Sequence, residues 1–216
     1  MISKADKRID SVYHSKSQIE LSKTYDDWAS DYDADMQSTG YIHPAIIAAL
    51  VARHVKNLSA VILDAGVGTG TIGELLSTLG YTNLLGVDMS EGMLAKARSR
   101  NIYADLRHGI LGETLDFKTA SIECTVSTGT FTTGHAPASA FDELVRITKP
   151  GGHLIFTVGT VVWKEAGFEE KLNALENTGL IINTETTGIY HPMPLSKTES
   201  GFTTRAHVRT RTEKSF

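Results

Sequence analysis

The stretch AVILDAGVGTG at residues 60–70 decides the fold of this chain. Four apolar residues lead towards three closely spaced glycines, a pattern typical of a buried strand that enters a tight turn. Glycine has no Cβ and adopts positive φ angles readily, so such a loop lets the backbone approach a ligand closely. The stretch therefore predicts a ligand-binding loop at the end of a buried strand.

Short apolar runs and helical periodicities alternate along the rest of the chain. The sequence predicts strands near 60–63, 84–88, 103–108, 122–127, 153–158, 180–187 and 204–212, and helices near 44–58, 71–79, 91–99, 137–147 and 165–177 with a turn at 149–152. This alternation predicts a mostly parallel, seven-stranded α/β sheet with helices on both faces. The polar residues 1–43 are expected to form a helical extension that precedes the sheet domain at 44–216.

Composition points to a soluble globular protein. Of the 216 residues, 41% are hydrophobic and 21% are charged, and the formal net charge is -4. This acidic balance argues against a surface built for nucleic-acid phosphates. The basic residues near the end, Arg205, Arg209, Arg211 and Lys214, are interpreted as a solvated strand and tail.

The expected location is the cytoplasm. The stretch MISKADKRID lacks the apolar core of a signal peptide, and no apolar run is long enough to span a bilayer. The single cysteine, Cys124, lies in an apolar run, which predicts a buried, inert thiol in a reducing compartment. Neither a membrane nor a nucleic acid is an expected partner, and the oligomeric state is open.

Two classes of nucleotide cofactor compete for the glycine loop. Gly68–Gly73 satisfies the G-x-G-x-x-G pattern of dinucleotide binding, and Asp88 follows Gly68 by 20 residues. Asp88 at a strand end can hold a ribose in either class. Asp64, however, places a carboxylate where a pyrophosphate would sit, whereas a carboxylate suits the ammonium group of an amino-acid cofactor. Asp64 therefore favours the second class.

Three segments carry a more specific resemblance. DAGVGTG at 64–70, GVDMSEGML at 86–94 and ITKPGGHLIFT at 147–157 resemble the class I S-adenosylmethionine-dependent methyltransferases, a similarity that extends over about 24–160. More narrowly, YDDWASDYDAD at 25–35 and STGTFTTGHAP at 127–137 are similar to the Williams–Beuren-region methyltransferase-like proteins and their bacterial relatives. The resemblance implies a Rossmann-like fold, S-adenosyl-L-methionine as cofactor and methyl transfer to a small-molecule acceptor.

The resemblance also implies roles for particular residues. The methionine part of the cofactor would contact Asp64, Gly66, Gly68, Thr69 and Gly70, while Asp88 would hold the ribose. Met89 and Met93 would flank the adenine, although plain helix packing explains Met93 as well.

The residues that follow the third and the fourth predicted strands are also expected to contact the cofactor. After the third strand Ile110 occupies the position where many relatives carry an acid, so the adenine would contact Ile110 and Leu111, and a backbone carbonyl or Glu113 would accept from its amino group. After the fourth strand Thr128 should lie beneath the sulfonium, because ligands bind at the carboxyl ends of parallel strands.

An aromatic trio precedes the sheet domain. Tyr25, Trp28 and Tyr32 are spaced i, i+3 and i+7, which predicts one face of a helix. This face either packs on the domain or forms a lid, where its rings would stabilise the sulfonium cation.

A general base is needed only if the acceptor begins protonated. His135 is the best candidate by position, with His43 and His191 as lesser ones, and a structural role is open for each. The eight histidines show no zinc-like spacing, so no metal is expected.

Two other functions compete with methyl transfer. One is an NAD(P)-dependent reductase, against which Asp64 and the lack of a Tyr-x-x-x-Lys pair both count. The other is a non-catalytic S-adenosylmethionine-binding subunit, because an intact loop argues for binding and not for turnover.

Overall fold

The computed structural model describes residues 3–15, 17–199 and 201–214. The helices in chain order are α1 (Lys4–Tyr13), α2 (Gln18–Trp28), α3 (Tyr32–Ser38), α4 (His43–His54), α5 (Thr71–Thr78), α6 (Glu91–Ser99), α7 (Ala140–Ile147), α8 (Val162–Glu165) and α9 (Phe168–Asn177). The strands are β1 (Ile62–Ala65), β2 (Leu84–Asp88), β3 (Tyr103–His108), β4 (Ile122–Phe131), β5 (Thr148–Gly159), β6 (Ile181–Thr186) and β7 (Thr204–Arg211).

The strands form one sheet in the order β3-β2-β1-β4-β5-β7-β6. The pairings from β3 to β5 are parallel, and β7 runs antiparallel to both of its neighbours. The predicted mostly parallel, seven-stranded sheet is therefore confirmed, with a Rossmann-like arrangement of parallel strands and helices.

Side chains of the central strands alternate between two cores because successive residues of a strand point to opposite faces. Ile62 packs with Ile47 of α4 and Leu76 of α5. Its neighbour Leu63 packs on the opposite side with Phe141 of α7. Helices thus cover both faces, and the inner strands are apolar on both sides, as parallel sheets require.

One predicted helix start is confirmed, and two other predicted element boundaries differ from the structure. The Ser90 side chain accepts a hydrogen bond from the Met93 backbone at 3.1 Å and so caps α6, as predicted. The predicted helix over 165–177 is instead two helices, since Gly167 lies between α8 and α9 with a φ of +75°. The turn predicted at 149–152 also differs, because β5 already begins at Thr148.

The N-terminal aromatic trio does not lie on one helix, which corrects the sequence prediction. Tyr25 and Trp28 end α2, the chain turns, and Tyr32 begins α3. The spacing suited a single helix. Three aromatic rings at this spacing also come into contact when a turn separates two consecutive helices.

The basic end of the chain is solvated only in part, which corrects the sequence prediction: Arg205 and Lys214 are exposed as predicted, but Arg209 and Arg211 are not. Arg209 and Arg211 on β7 are only 4% and 5% exposed. Arg209 pairs through Nε with Glu176 of α9 at 2.7 Å, and Arg211 donates to the backbone carbonyls of Arg146 and Thr148. These partners compensate the buried charges, as burial demands. Cys124, by contrast, is buried as predicted, and burial raises the pKa of its thiol.

Within the described ranges, none of the helices combines the length and the apolar character needed to cross a bilayer. The same residues contain no cluster of three or more His, Cys, Asp or Glu side chains suited to a metal ion.

Candidate functional site

The carboxyl ends of β1 and β4 lie side by side at the point where the strand order reverses, which is where open α/β sheets bind ligands. A first cavity opens there and contains about 650 Å³ of empty space that is continuous with solvent. Its walls are formed by Gln18, Tyr25, Tyr32, Gly66, Gly68, Asp88, Met89, Met93, Gly109, Ile110, Leu111, Thr128, Gly129, Thr130, His135 and Ala136.

The glycine loop forms one wall with bare backbone. Gly66 and Gly68 have φ angles of +81° and +52°. A Cβ on Gly66 would lie 2.5 Å from Thr130 Oγ1, whereas a Cβ on Gly68 would meet no atom within 4 Å. Since Gly68 borders the first cavity, a side chain there would occupy space that is now open to a ligand.

Asp88 ends β2 at the edge of the first cavity. Its two carboxylate oxygens accept hydrogen bonds from the backbone amides of Gly68 at 2.8 Å and Ser90 at 2.9 Å. Each oxygen has further lone-pair capacity for a hydroxyl donor. Burial raises the pKa of Asp88, while these amide hydrogen bonds lower it.

Asp64 is almost fully buried and does not border either cavity described here. The Tyr103 hydroxyl donates to Oδ2 at 2.7 Å, and among the described residues Oδ1 has no hydrogen-bond partner. Burial raises the pKa of Asp64 to about 8, against the smaller opposing effect of Tyr103. A buried acceptor without a donor is costly, so this oxygen is suited to a donor from a ligand.

An apolar wall faces the glycine loop. It contains Met89, Met93, Ile110 and Leu111, all at the first cavity. Glu113 is exposed and its backbone amide donates to Ile110 O at 3.1 Å, but its side chain is not part of the wall. Of the two acceptors considered for an adenine amino group, the backbone is the one beside the first cavity.

The three aromatic rings of the N-terminal segment form a cluster over the carboxyl edge of the sheet. The rings of Tyr25 and Trp28 stack with centroids 6.2 Å apart, and Trp28 meets Tyr32 edge-on at 4.7 Å. Tyr25 and Tyr32 border the first cavity, whereas Trp28 borders a second one.

Polar contacts of α2 and α3 fasten these helices, here called the lid (residues 18–38), to the sheet domain. Oδ1 of Asp26 accepts from Ser90 Oγ at 2.6 Å and from the Gly92 backbone at 2.8 Å. Asp33 accepts from Thr69 Oγ1 at 2.5 Å and from Arg100 Nη2 at 2.6 Å. The lid therefore contacts the glycine loop and the start of α6 directly.

A second cavity lies between the lid, α1, α4 and the segment before β7. Its walls are formed by Ile9, Val12, Tyr13, Tyr25, Trp28, Tyr32, Met36, Tyr41, His43, Gly129, Phe131, Thr132, His135, Thr157, Gly159, Met193, Phe202 and Thr204. No Asp, Glu, Lys or Arg is among these described wall residues. Tyr25, Tyr32, Gly129 and His135 border both cavities.

His135 and Tyr25 form a hydrogen-bonded pair at this boundary. Nδ1 of His135 lies 2.8 Å from the carbonyl oxygen of Thr133, and Nε2 lies 2.7 Å from the Tyr25 hydroxyl. A carbonyl oxygen only accepts, so we assign the ring proton to Nδ1, and the Tyr25 hydroxyl donates to the lone pair of Nε2. Burial lowers the pKa of His135, which keeps the ring neutral.

The other two candidate histidines differ in position. His43 borders the second cavity, and its Nδ1 lies 2.8 Å from the Tyr190 hydroxyl. Burial lowers the pKa of His43 to about 3, so its ring is neutral. His191 is exposed and borders neither cavity.

The structure brings most of the sequence-predicted site residues to the first cavity. Thr69 and Gly70 lie outside its wall: Thr69 contacts Asp33, and Gly70, with a φ of +87°, precedes α5. The sequence did not indicate Asp26 or Asp33 as anchors. Both belong to the acidic run at 25–35, and nothing in the sequence distinguishes them from the other acidic residues of that run.

Comparisons with known proteins agree with this geometry. The family described as "Methyltransferase domain" matches residues 63–156. Human methyltransferase-like protein 27 is 34% identical over 163 residues, which cover 72% of this chain and 66% of that protein. Malonyl-(acyl-carrier protein) O-methyltransferase of Marinomonas sp. (strain MWYL1) is 30% identical over 64% of this chain and 51% of its own length. The chain therefore spans about two thirds and one half of these two relatives.

A solved structure shares the fold. In the complex between the Haloferax volcanii Trm112 methyltransferase activator and a methyltransferase, the matching chain has a TM-score of 0.62 at 19% identity. The match covers 88% of this chain and 98% of that one.

Proposed function

Because the chain belongs to the class I S-adenosylmethionine-dependent methyltransferases, we propose that it transfers a methyl group from S-adenosylmethionine to an uncharged small molecule held in the second cavity. The single observation that carries this proposal is the contact between the two cavities at Tyr25, Tyr32, Gly129 and His135. A cofactor in one cavity can reach an acceptor in the other only through this boundary.

The first cavity fits the cofactor of this family. We propose that Asp88 accepts from the ribose hydroxyls and that Met89, Met93, Ile110 and Leu111 enclose the adenine. The open space at Gly68 suits the methionine part, and the unpartnered Oδ1 of Asp64 suits its ammonium group. When bound, the cofactor supplies an electrophilic methyl group on a sulfonium.

The protein contributes alignment and exclusion of water to such a transfer. We propose that Tyr25 and Tyr32 close over the sulfonium, since aromatic rings attract cations. Glycine at position 129 lets the Tyr41 hydroxyl approach the backbone at the boundary, because a Cβ there would lie 2.5 Å from that oxygen. The lid contacts made by Asp26 and Asp33 would hold both tyrosines in place.

Two observations favour this function over its alternatives. The unpartnered Oδ1 of Asp64 next to the loop suits an ammonium donor, whereas a diphosphate carries only acceptors and could not satisfy it, which disfavours a nicotinamide-dependent reductase. A non-catalytic binding subunit needs no second cavity, whereas this chain has one that shares four wall residues with the first.

Calorimetry with S-adenosylhomocysteine and NADH tests the cofactor assignment. We expect micromolar binding of S-adenosylhomocysteine, no detectable binding of NADH, and at least tenfold weaker binding of S-adenosylhomocysteine to Asp88→Asn. Tight binding of NADH alone would overturn the proposal.

A variant that fills the second cavity tests the acceptor assignment. Met193 is buried and borders this cavity, while Leu195 is 70% exposed. We expect Met193→Trp to bind S-adenosylhomocysteine within threefold of the wild type and to lose transfer of labelled methyl to pooled small metabolites. The control Leu195→Trp should retain it. Equal transfer by both variants contradicts the assignment.

A further inference from the structure

Resting on the proposed function, we infer that Tyr25 removes the proton of a hydroxyl group on the acceptor and passes its own proton to His135. The acceptor class that follows is an uncharged molecule with a hydroxyl on an aromatic or other apolar ring. The observation behind this inference is the directed chain of hydrogen bonds from Tyr25 through His135 to the Thr133 carbonyl.

The direction of that chain determines what Tyr25 can do. Its hydroxyl proton points at Nε2 of His135, so the lone pairs of its oxygen are available to another donor. Since Tyr25 borders both cavities, an acceptor hydroxyl at the boundary can donate to this oxygen. Burial raises the pKa of Tyr25 well above its ordinary value, so the residue rests as the neutral phenol and acts as a relay.

The transfer balances in atoms and charge. A lone pair of the acceptor oxygen forms the new O–CH3 bond as the S–CH3 bond breaks and its electron pair stays on sulfur. The acceptor O–H bond breaks, its proton joins the Tyr25 oxygen, and the former Tyr25 proton joins Nε2 of His135. One positive charge leaves sulfur and one appears on the imidazole, so the charge of the enclosed site is unchanged.

The surroundings of the second cavity restrict the acceptor. An ammonium or a carboxylate would find no opposite charge on the described walls, and burying an unpaired charge is costly. Rings of Tyr13, Trp28 and Phe202 offer apolar faces instead. A proton relay is needed for an acceptor that begins protonated, such as a hydroxyl, and is superfluous for a thioether or another neutral lone pair.

The groups that face the pair are themselves uncharged or distant. The ring of Tyr13 meets His135 edge-on at 5.9 Å, and Tyr32 lies 6.4 Å from Tyr25 between ring centroids. Gln18 approaches only the His135 carbonyl, at 3.5 Å. Asp88 is the acidic group that acts on Tyr25 at longer range.

Binding of phenol and toluene to the protein saturated with S-adenosylhomocysteine tests this inference without turnover. These ligands differ in the hydroxyl, and a hydrogen bond of about 1 kcal/mol corresponds to about fivefold in affinity. We expect the ratio of phenol to toluene affinity to fall about fivefold in Tyr25→Phe. The control Tyr81→Phe removes a tyrosine hydroxyl that borders neither cavity and donates to the Val55 carbonyl at 2.7 Å, so it should change the ratio less than twofold. Equal ratios in the wild type and Tyr25→Phe overturn the inference.

Nitrogen-15 resonances of the histidine ring give a second, independent readout. We expect His135 in the Nδ1–H form, and the Nε2–H form would overturn the relay. His135→Gln keeps an acceptor for Tyr25 but cannot hold a proton, so it should retain the affinity ratio and lose methyl transfer to a phenolic acceptor. If S-adenosylhomocysteine fails to bind the wild type, the proposed function itself is wrong; if it binds and only the ratios disagree, the relay alone is wrong.

Discussion

The Asp26 carboxylate lies 2.8 Å from the backbone nitrogen of Gly92, so a residue of the lid accepts a hydrogen bond from the first turn of α6. The same oxygen accepts from Ser90 Oγ, which in turn caps the helix through Met93. Because Met89 and Met93 border the first cavity, the same hydrogen bonds hold the lid and the apolar wall of that cavity.

Removal of this anchor should loosen the lid. In Asp26→Ala the Gly92 amide and the Ser90 hydroxyl lose their acceptor, at a cost of about 1 kcal/mol. Amide hydrogen exchange over residues 18–38 should accelerate about fivefold. Asp27→Ala, on the same helix and exposed, is the control and should leave the exchange rates within twofold. Equal acceleration by both variants would show that the Asp26 contacts are not what holds the lid.

Gly92 should not tolerate a methyl group. Alanine usually stabilises a helix relative to glycine, but a Cβ here would lie 2.9 Å from the Cα of Asp26. Crowding against backbone should therefore lower the free energy of unfolding of Gly92→Ala by about 1 kcal/mol in urea titrations. Gly188→Ala, where no atom lies within 4 Å of the added Cβ, should not be destabilised. A more stable Gly92→Ala would contradict the close packing of the two helices.

The outline of the fold could be predicted from the sequence because its signals are local. The apolar run before Asp64, the Ser90 cap and the apolar strands each depend on residues close together in the chain. The turn between Trp28 and Tyr32 could not be predicted, since the aromatic spacing also suits a single helix. Residues as far apart in the chain as Ile9 and Phe202 line the second cavity. Sequence periodicity carries no information about contacts between such distant residues, so this cavity could not be predicted.

The affinity for S-adenosylhomocysteine should depend on pH through Asp64. The pKa of Asp64 is raised to about 8, so the carboxyl is largely protonated below this pH. Pairing with the ligand's ammonium group requires the ionised form and releases a proton, so affinity should rise up to about tenfold per pH unit from pH 6 to 8. Asp64→Asn should show no such slope by calorimetry. If the affinity of the wild type does not change with pH, Asp64 does not pair with the ammonium group of the ligand.

Acid should destabilise the fold through buried neutral histidines. Burial, with Arg209 and Arg205, lowers the pKa of His207 to about 3, from an ordinary value of 6.5. The unfolded chain then binds the extra proton between these values, so stability falls as pH drops from 6.5 to 3, by up to about 1.4 kcal/mol per unit.

The variant His207→Phe preserves the ring between Trp163 and Phe156. Its unfolding free energy should decline less steeply than that of the wild type between pH 6.5 and 4. The exposed control His14→Gln should follow the wild type, and a His207→Phe curve parallel to the wild type would contradict the assignment.

Loss of the partner of Arg209 should be costly. Glu176→Gln leaves a buried guanidinium without its carboxylate, which lies 2.7 Å away. Because Glu176 is partly exposed, we expect a loss of about 2 kcal/mol in the free energy of unfolding, less than for a fully buried pair. Glu170→Gln, exposed on the same helix, should change stability by less than 0.5 kcal/mol, about the usual limit for surface substitutions. Similar losses in both variants would contradict this role.

The position of β7 between β5 and β6 has a consequence for biosynthesis. During translation β6 emerges before the strand that must lie between it and the rest of the sheet. When β6 has emerged from the ribosome, the first five strands can already associate. The strand β6 cannot pair with the sheet until roughly two dozen more residues have been synthesised. During that interval the backbone hydrogen-bonding groups at the outer edge of β5 are unpaired. A nascent-chain chaperone would therefore be able to bind the β5 edge.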